Sequence, residues 1–346
     1  MRAMVLEGPN SEFILKQVPD PVAGPGEAVA KVFACGSGLT IQHFKAGRTP
    51  AVFPRIIGHE ICAQIVEIGE GETDLTIGDI VTSYFYMNCG TCSNCLSNLQ
   101  PLCENLGGYV GRECDGGYAE YIKLPTKWFI KLPDGLDWVN QPAHVGVAMD
   151  ALATPYKVLK RGNIKPGETV AVFGAGGGLG IHQVMLAKWA NTRVIAIDIR
   201  ENKKESILNT GADEFIDASK ENVVEALLEL TAGNGVDVCV DYVSVKETLE
   251  AATKSLGRRG RMLTLGGAGQ KFEVDAQHLL KNEIDLLGSR YVTPIEIIKT
   301  YELMVKGEIW PIVTEIQNLE DAEVIHTMVE KGEVTGRAAL LVSTTS

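Results

Sequence analysis

Residues 169–198 decide the fold and read TVAVFGAGGGLGIHQVMLAKWANTRVIAID. The run Thr169–Phe173 is apolar and rich in β-branched residues, which predicts a buried strand, and Leu179–Ala190 has helical periodicity. A second apolar run, Arg193–Ile197, follows the helix and ends at Asp198. Strand, glycine-rich turn, helix and strand in this order predict the first half of a doubly wound parallel sheet.

The glycine-rich turn between the first strand and the helix predicts a dinucleotide site. Glycines let the backbone approach a pyrophosphate, whose negative charge is stabilised at a helix N-terminus. Two registers of the G-x-G-x-x-G pattern are open: either Ala175 takes the first position, or the motif starts at Gly174 with one residue inserted. The alternative is an ordinary strand-to-helix turn that binds no dinucleotide. The predicted cofactor-binding residues are Gly174, Gly176, Gly177, Gly178, Leu179 and Gly180.

Asp198 lies 18 residues after Gly180, at the end of the second predicted strand. An acid at this place can bind both ribose hydroxyls and repel a 2′-phosphate, so it favours NAD(H) over NADP(H). Three basic residues follow it closely and leave NADP(H) open: Arg200, Lys203 and Lys204.

Four of the eight cysteines lie within fifteen residues, at positions 89, 92, 95 and 103. Four thiolates close a tetrahedral zinc shell and leave no position for a substrate, so this spacing predicts a structural zinc. The alternative is a loop with four reduced cysteines and no metal. The predicted ligands are Cys89, Cys92, Cys95 and Cys103.

Composition narrows the class of protein. The chain has 346 residues and a formal net charge of −12, which argues against nucleic acid and against an anionic membrane surface as partners. No apolar run approaches the ~20 residues that span a bilayer, and the N-terminus has no signal-peptide apolar region. We therefore expect a cytoplasmic protein whose cysteines stay reduced.

The pattern of apolar residues changes near residue 150. Short apolar stretches broken by Gly, Pro and Asp fill the first part, which predicts a β-rich domain over 1–150 with the cysteine lobe at about 86–105. Strands and helices alternate from there, which predicts a nucleotide-binding domain over 151–290. Residues 291–346 contain two helical stretches, Pro294–Val305 and Ala322–Lys331, and a short closing strand.

The two sites together resemble the zinc-dependent medium-chain alcohol dehydrogenase superfamily, over essentially the whole chain. Gly58-His59-Glu60 and the segment from Asp115 to Tyr121 look like motifs of that superfamily, and so does Gly336-Arg337. The resemblance implies a GroES-like catalytic domain, a Rossmann domain and a C-terminal return to the first. It also implies hydride transfer between NAD(H) and an alcohol or carbonyl compound, in a homodimer or homotetramer. Arg337 would then reach the cofactor pyrophosphate.

The resemblance also implies a second, catalytic zinc with three protein ligands, and here the sequence departs from the family. The first ligand is normally a cysteine, but that position holds Gly38; in a rival register Cys35 is the ligand. His59 matches the second ligand and Asp150 matches an acidic version of the third. Glu60 or Cys35 could supply the missing ligand after a rearrangement, and Cys62 is more remote.

Further residues match catalytic or pocket positions of the family. Thr40 would lie next to the substrate oxygen and His43 would relay a proton to solvent, although a plain surface histidine is the alternative. Tyr84 and Phe85 match a substrate-lining stretch, although aromatic residues there can equally belong to the core. The remaining histidines match no catalytic position and are expected to be structural.

Three functions are compatible with this pattern. The first is an NAD(H)-dependent alcohol dehydrogenase or carbonyl reductase. The second is a reductase without catalytic zinc, acting on an activated C=C bond (an enoyl thioester or enone) or on a C=N bond, which the loss of a thiolate at Gly38 favours. The third is a catalytically inactive binding protein that senses the NAD(H) redox state or stabilises a partner. The retained residues argue against it: Thr40, His43, His59, Glu60 and Asp150.

Overall fold

The computed structural model describes residues 1–345 and divides them into two compact units. Unit 1 contains Met1–Ala153 together with the segment from Val292 onward, and unit 2 is Thr154–Tyr291. Within the described residues, no helix is long and apolar enough to cross a membrane.

The strands of the described residues are numbered in chain order. They are β1 (Arg2–Leu6), β2 (Phe13–Gln17), β3 (Glu27–Ser37), β4 (Arg55–Ile56), β5 (Ile61–Ile68), β6 (Ile80–Ser83), β7 (Tyr121–Pro125), β8 (Phe129–Lys131), β9 (Thr169–Phe173), β10 (Arg193–Asp198), β11 (Glu214–Asp217), β12 (Val236–Asp241), β13 (Leu256–Thr264), β14 (Asp285–Gly288), β15 (Val313–Asn318) and β16 (Arg337–Leu341).

The α-helices are numbered in the same way, and short 3₁₀ turns are left without labels. They are α1 (Leu39–Lys45), α2 (Ser93–Leu96), α3 (Pro142–Val147), α4 (Ala153–Arg161), α5 (Gly180–Trp189), α6 (Lys204–Asn209), α7 (Val223–Leu230), α8 (Lys246–Lys254), α9 (Ala276–Asn282), α10 (Pro294–Val305) and α11 (Ala322–Lys331). One π-helical turn, Ala148–Leu152, joins α3 to α4.

Unit 2 is a doubly wound sheet. Its six strands have the order β11-β10-β9-β12-β13-β14, and all of the pairings are parallel. The central strands are rich in buried apolar residues, as expected where helices cover both faces of a sheet. The strand order reverses between β9 and β12, and sheets of this kind bind ligands at the carboxyl ends of the strands beside such a reversal.

Unit 1 is built around the long strand β3, which pairs antiparallel with β5, β7 and β16. A second, three-stranded sheet has the order β2-β1-β4, and apolar residues of both sheets form one core cluster. The C-terminal strand β16 pairs Ala338 with Ser37 at the end of β3. The last part of the chain is therefore an integral part of unit 1.

Several predicted elements differ from the structure at their ends. The apolar run Tyr118–Leu124 predicts a strand, but the observed strand begins at Tyr121, because the backbone of Tyr118 bonds to Met4 and Ile57. The run Arg261–Leu265 predicts another, and that strand begins five residues earlier, where Leu256 pairs with Val236. The prediction contained no helix over Leu39–Lys45 and none around Pro142–Val147.

Candidate active site and metal centres

The cysteine lobe brings its four thiols together. The Sγ atom of Cys89 lies 3.9 Å from that of Cys95 and 3.5 Å from that of Cys103. The Sγ atoms of Cys92 and Cys103 are 3.9 Å apart. A tetrahedral zinc with Zn–S bonds of about 2.3 Å requires Sγ atoms about 3.8 Å apart. The four sulfurs therefore already have the spacing of a closed zinc shell.

Backbone amides support a thiolate in this lobe. The amides of Thr91 and Cys92 donate to the Cys89 sulfur, and these bonds lower the pKa of Cys89 to about 5. Only a thiolate binds zinc, so the loop favours the ligating form of the side chain. The lobe residues fit a structural zinc.

The glycine-rich turn of unit 2 has the close backbone approach that a dinucleotide site needs. Gly174 has a φ of +71°, which favours glycine, and a Cβ atom at Gly180 would lie 2.0 Å from the Gly174 carbonyl oxygen. Gly178 accepts a 2.7 Å hydrogen bond from the His182 ring, which makes His182 a structural residue. The geometry favours the register that starts at Gly174, since that residue turns the chain.

Asp198 is held at the end of β10 by backbone amides. Its carboxylate accepts hydrogen bonds from the amides of Gly176 at 2.8 Å and Arg200 at 3.0 Å. The buried Lys203 donates to the Gly176 carbonyl oxygen at 3.2 Å, and burial lowers the pKa of Lys203. The acid thus lies directly beside the glycine-rich turn, as the sequence predicts for a ribose-binding residue.

The second centre is formed where three neighbouring strands of unit 1 meet. β3 ends at Ser37, β5 begins just after Glu60, and β16 begins at Arg337. The Gly36 amide donates to the Glu60 carbonyl oxygen at 2.8 Å, and the pairing of Ala338 with Ser37 brings Arg337 beside Gly38.

The Arg337 guanidinium lies between two carboxylates. Its Nε donates to Glu60 Oε2 at 3.0 Å, its Nη2 donates to Glu60 Oε1, and the same Nη2 donates to Asp150 Oδ2 at 2.9 Å. The side chains of all three residues are buried. Burial raises the pKa of Glu60, and the Arg337 charge opposes that rise. The predicted contact of Arg337 with the cofactor stays a prediction, because here the guanidinium binds these carboxylates.

Gly38 provides the space that the guanidinium occupies. A Cβ atom at this position would lie 2.6 Å from Arg337 Cζ and 2.7 Å from both of its terminal nitrogens. Real Cβ atoms do not approach other atoms so closely. Any side chain at position 38, a cysteine included, therefore collides with Arg337 as it is placed here.

Cys35, the ligand in the rival register, packs elsewhere. Its sulfur lies close to the backbone of Gly58 and Gly117, where added Cβ atoms would be 2.7 and 3.0 Å away. Among the described residues, Cys35 does not belong to either group of side chains that could hold a metal. The choice between the two registers stays a prediction.

His59 is a buried imidazole without a hydrogen bond. Its side chain is 1% exposed, and within residues 1–345 neither ring nitrogen has a hydrogen-bond partner. Nε2 lies 3.9 Å from Asp150 Oδ2, and the ring packs on Phe85 with centroids 4.1 Å apart. Buried ring nitrogens normally have hydrogen-bond partners, so the imidazole of His59 is unusual in this respect.

The two predicted pocket residues differ in their surroundings. Phe85 lines the cluster through its contact with His59. The Tyr84 hydroxyl donates to the Val292 carbonyl oxygen at 2.9 Å, and this residue is among the largest fully buried side chains. Tyr84 therefore fills the core, whereas Phe85 lies where a substrate contact is feasible.

Thr40 and His43 lie on α1, which begins immediately after Gly38. They are three residues apart and so share one face of the helix. Thr40 is exposed and His43 is half-buried, with its Nδ1 unpartnered among the described residues. Burial, with a smaller contribution from Arg48, lowers the pKa of His43. The helix thus carries a hydroxyl and an imidazole on one face, and the lowered pKa of His43 favours its neutral form.

The prediction did not include a buried polar network behind α1. The Tyr118 hydroxyl bonds to Ser37 and, at 2.9 Å, to His326 Nε2, whose Nδ1 lies 2.7 Å from Gln42 Oε1. These residues come from β3, α1, a loop and α11, so no local sequence signal connects them. Burial lowers the pKa of His326 to about 3, in line with the structural role predicted for it.

Comparison with known proteins identifies the family of this chain. Residues 24–134 match the family described as "Alcohol dehydrogenase GroES-like domain", and residues 178–306 match "Zinc-binding dehydrogenase". An alcohol dehydrogenase of Geobacillus stearothermophilus is 32% identical over 98% of both chains. An acryloyl-coenzyme A reductase of Metallosphaera sedula is 29% identical, over 98% of this chain and 99% of its own.

A solved structure extends the comparison. The cobalt- and zinc-bound thermostable alcohol dehydrogenase from Pyrobaculum aerophilum superposes with a TM-score of 0.87, at 28% identity, over 99% of both chains. The chain belongs to the zinc-dependent medium-chain alcohol dehydrogenase superfamily. It is an NAD(H)-dependent oxidoreductase of the zinc alcohol dehydrogenase type that acts on small molecules, and the predicted GroES-like and Rossmann architecture is confirmed.

The two metal positions of the family differ in their fit to zinc. The lobe has four thiols at the required spacing. At the second position the ligand atoms of His59, Glu60 and Asp150 lie within 4.8 Å of one another, but both carboxylates are paired with Arg337 and the thiolate is absent. A catalytic zinc does not fit the second centre as it is arranged here.

Proposed function

We propose that this enzyme interconverts a small alcohol and its aldehyde or ketone, with Thr40 as the residue that exchanges a proton with the substrate oxygen. The observation that carries the proposal is the placement of Thr40 and His43 three residues apart on α1, which begins directly after Gly38. Bound NAD(H) supplies or accepts the hydride. We propose that the glycine-rich turn and Asp198 hold this cofactor.

The proton path follows from the side chains of α1. In the direction of reduction, the carbonyl oxygen gains the electron pair of the C=O bond and takes the Thr40 proton. His43 then returns a proton to Thr40, which its neutral imidazole can do after uptake from solvent. In the direction of oxidation the same residues move the proton outwards.

The test compares two variants of Thr40. Thr40→Val keeps the shape of the side chain but removes the hydroxyl, and Thr40→Ser keeps the hydroxyl. We expect kcat to fall about 10²-fold or more in Thr40→Val, because general acid–base catalysis contributes that much, and to stay within a few-fold in Thr40→Ser. The measurement is NADH consumption with a panel of aldehydes and ketones. Equal rates for the two variants would contradict the proposal.

A second candidate, reduction of an activated C=C bond, is favoured by Gly38 and Arg337. Such substrates carry their own electron-withdrawing group, so a strong Lewis acid matters less, and the centre here contains a guanidinium where a ligand side chain would be. The acryloyl-coenzyme A reductase relative belongs to this class by its name. Enones and enoyl thioesters in the same panel decide between the candidates: turnover of these compounds alone selects the second.

We also propose an oligomeric state and a cellular location for the enzyme. The enzyme is a homodimer or homotetramer in the cytoplasm, as the resemblance to its superfamily and its reduced cysteines imply. Sedimentation velocity of the purified chain tests the oligomeric state, and a monomer at micromolar concentration would contradict it.

A further inference from the structure

We infer that Arg337 is a positioning residue that takes the place of the catalytic metal and keeps divalent cations out of the cluster of His59, Glu60 and Asp150. Gly38 makes this arrangement possible. The inference concerns what occupies the cluster, so it holds for either candidate reaction. Its test measures bound metal and does not depend on turnover.

The first argument is space. The guanidinium fills the volume that a side chain at position 38 would enter, with contacts of 2.6 and 2.7 Å to an added Cβ atom. A thiolate ligand and this position of Arg337 are therefore mutually exclusive. The absence of a side chain at Gly38 is a condition for the observed pairing and more than a lost ligand.

The second argument is charge. Arg337 donates to both carboxylates, and the three side chains are 7%, 1% and 8% exposed for Arg337, Glu60 and Asp150. A guanidinium is charged at every accessible pH and binds carboxylates through two parallel hydrogen bonds. A divalent cation would have to displace it from a site where little water screens their repulsion.

The third argument is the free imidazole. Nε2 of His59 points toward Asp150 Oδ2 at 3.9 Å, which is beyond hydrogen-bond distance, and Asp150 Oδ2 is the oxygen that accepts from Arg337. Both ring nitrogens of His59 are buried and unpartnered in the described chain. Removing the guanidinium would leave His59, Glu60 and Asp150 as three ligands within 4.8 Å. The cluster is thus one side chain away from a metal site.

The experiment counts metal in the whole chain. We purify wild type, Arg337→Gln and the double variant Gly38→Cys/Arg337→Gln in zinc, dialyse them and measure zinc per chain. We expect about one zinc in wild type, held by the lobe, and about two in both variants. Reloading with cobalt reports the second site by its absorption, and the double variant gains a thiolate-to-cobalt band from the introduced thiol.

Two controls assign the result. Arg55→Gln removes another largely buried arginine of unit 1, which pairs with Asp115 at 2.9 Å, and we expect its zinc content to equal that of wild type. Adding His59→Ala to Arg337→Gln removes the second zinc if it lies in the cluster. The double variant covers the case in which Arg337→Gln alone fails to fold, since zinc then replaces the lost positive charge. A second zinc in wild type that His59→Ala removes would overturn the inference, and so would one zinc in both folded variants.

Discussion

The cysteine lobe and the His59 cluster occupy the two metal positions of the same superfamily, but they differ in the metal-binding side chains that are available there. The lobe has four thiols whose sulfurs all lie within 4.8 Å of one another, as a closed zinc shell requires. At the cluster, the position that the resemblance assigns to a thiolate holds Gly38, and the Arg337 guanidinium occupies the space beside it. The two positions thus differ in the groups that surround them: four thiols in the lobe, and two carboxylates paired with a guanidinium in the cluster.

The largest expected effect is in the lobe. Cys103→Ser removes a ligand whose sulfur lies 3.5 Å from Cys89, and we expect zinc to fall from about one per chain to about zero. Proteases should then cut within residues 89–103, because metal binding and folding of such loops are coupled. Elemental analysis and limited proteolysis measure both. Cys114→Ser, outside the lobe, is the matched control, and a similar loss there would break the comparison.

The cluster should depend on its guanidinium for stability. Arg337→Gln leaves two buried carboxylates without their cation, which costs about 3–5 kcal/mol in the free energy of unfolding of unit 1 in zinc-free buffer. Arg48→Gln breaks an exposed pair with Glu330 and should cost at most about 1 kcal/mol. Urea unfolding of both variants, followed by fluorescence, gives the difference. If the two variants unfold at the same urea concentration, Arg337 does not hold the cluster together.

His326, a buried histidine outside both sites, makes the stability of the folded chain depend on pH. The pKa of His326 in the folded chain is about 3, and that of an unfolded histidine is about 6.5. Between these two pH values the unfolded chain binds a proton that the folded chain does not. The contribution of neutral His326 to the free energy of unfolding is therefore fully present above pH 6.5 and is lost as the pH falls toward 3. At pH 5 the loss is about 2 kcal/mol. His326→Gln should flatten the stability profile between pH 7 and 5 relative to wild type, and an unchanged slope would contradict this.

The smallest expected effect concerns the carboxylate of Asp198, which lies in unit 2. The amides of Gly176 and Arg200 position it at the glycine-rich turn in the contacts described above. Asp198→Ala removes the charge that repels a 2′-phosphate, and we expect the preference for NADH over NADPH to fall about 10-fold in kcat/KM. Asp217→Ala, at the end of the neighbouring strand β11, is the control. Equal coenzyme preference in wild type and Asp198→Ala would contradict the assignment.

Local patterns were sufficient to predict most of the fold. The alternation around Thr169–Phe173 and the helix Pro294–Val305 depend on periodicity within a few turns of chain, and both elements have the predicted bounds or nearly so. The helix Leu39–Lys45 was missed because it is short and is selected by its contacts in unit 1. The same holds for the strand around Val313, whose partner β16 lies at the end of the chain.

The site was predictable one residue at a time but not as an assembly. The Gly38 departure, His59 and Asp150 were identified by position along the chain, and the structure brings His59 and Asp150 together with Glu60. The position of Arg337 could not be predicted, because it depends on the pairing of Ala338 with Ser37 across 301 residues. One sequence signal could have suggested that Arg337 enters the cluster: a glycine at a position where the family has a ligand, in a chain that also has an arginine at the family's Gly-Arg motif.

The π-helical turn Ala148–Leu152 sets the phase of the helix that carries Asp150. Successive residues of a helix point about 100° apart, so a one-residue deletion changes which side chain faces a given neighbour. Without Ala148, Ala151 would take the angular position of Asp150, and Arg337 would face a methyl group there. An insertion or deletion in this turn would therefore switch the character of the centre without touching any residue that contacts the guanidinium.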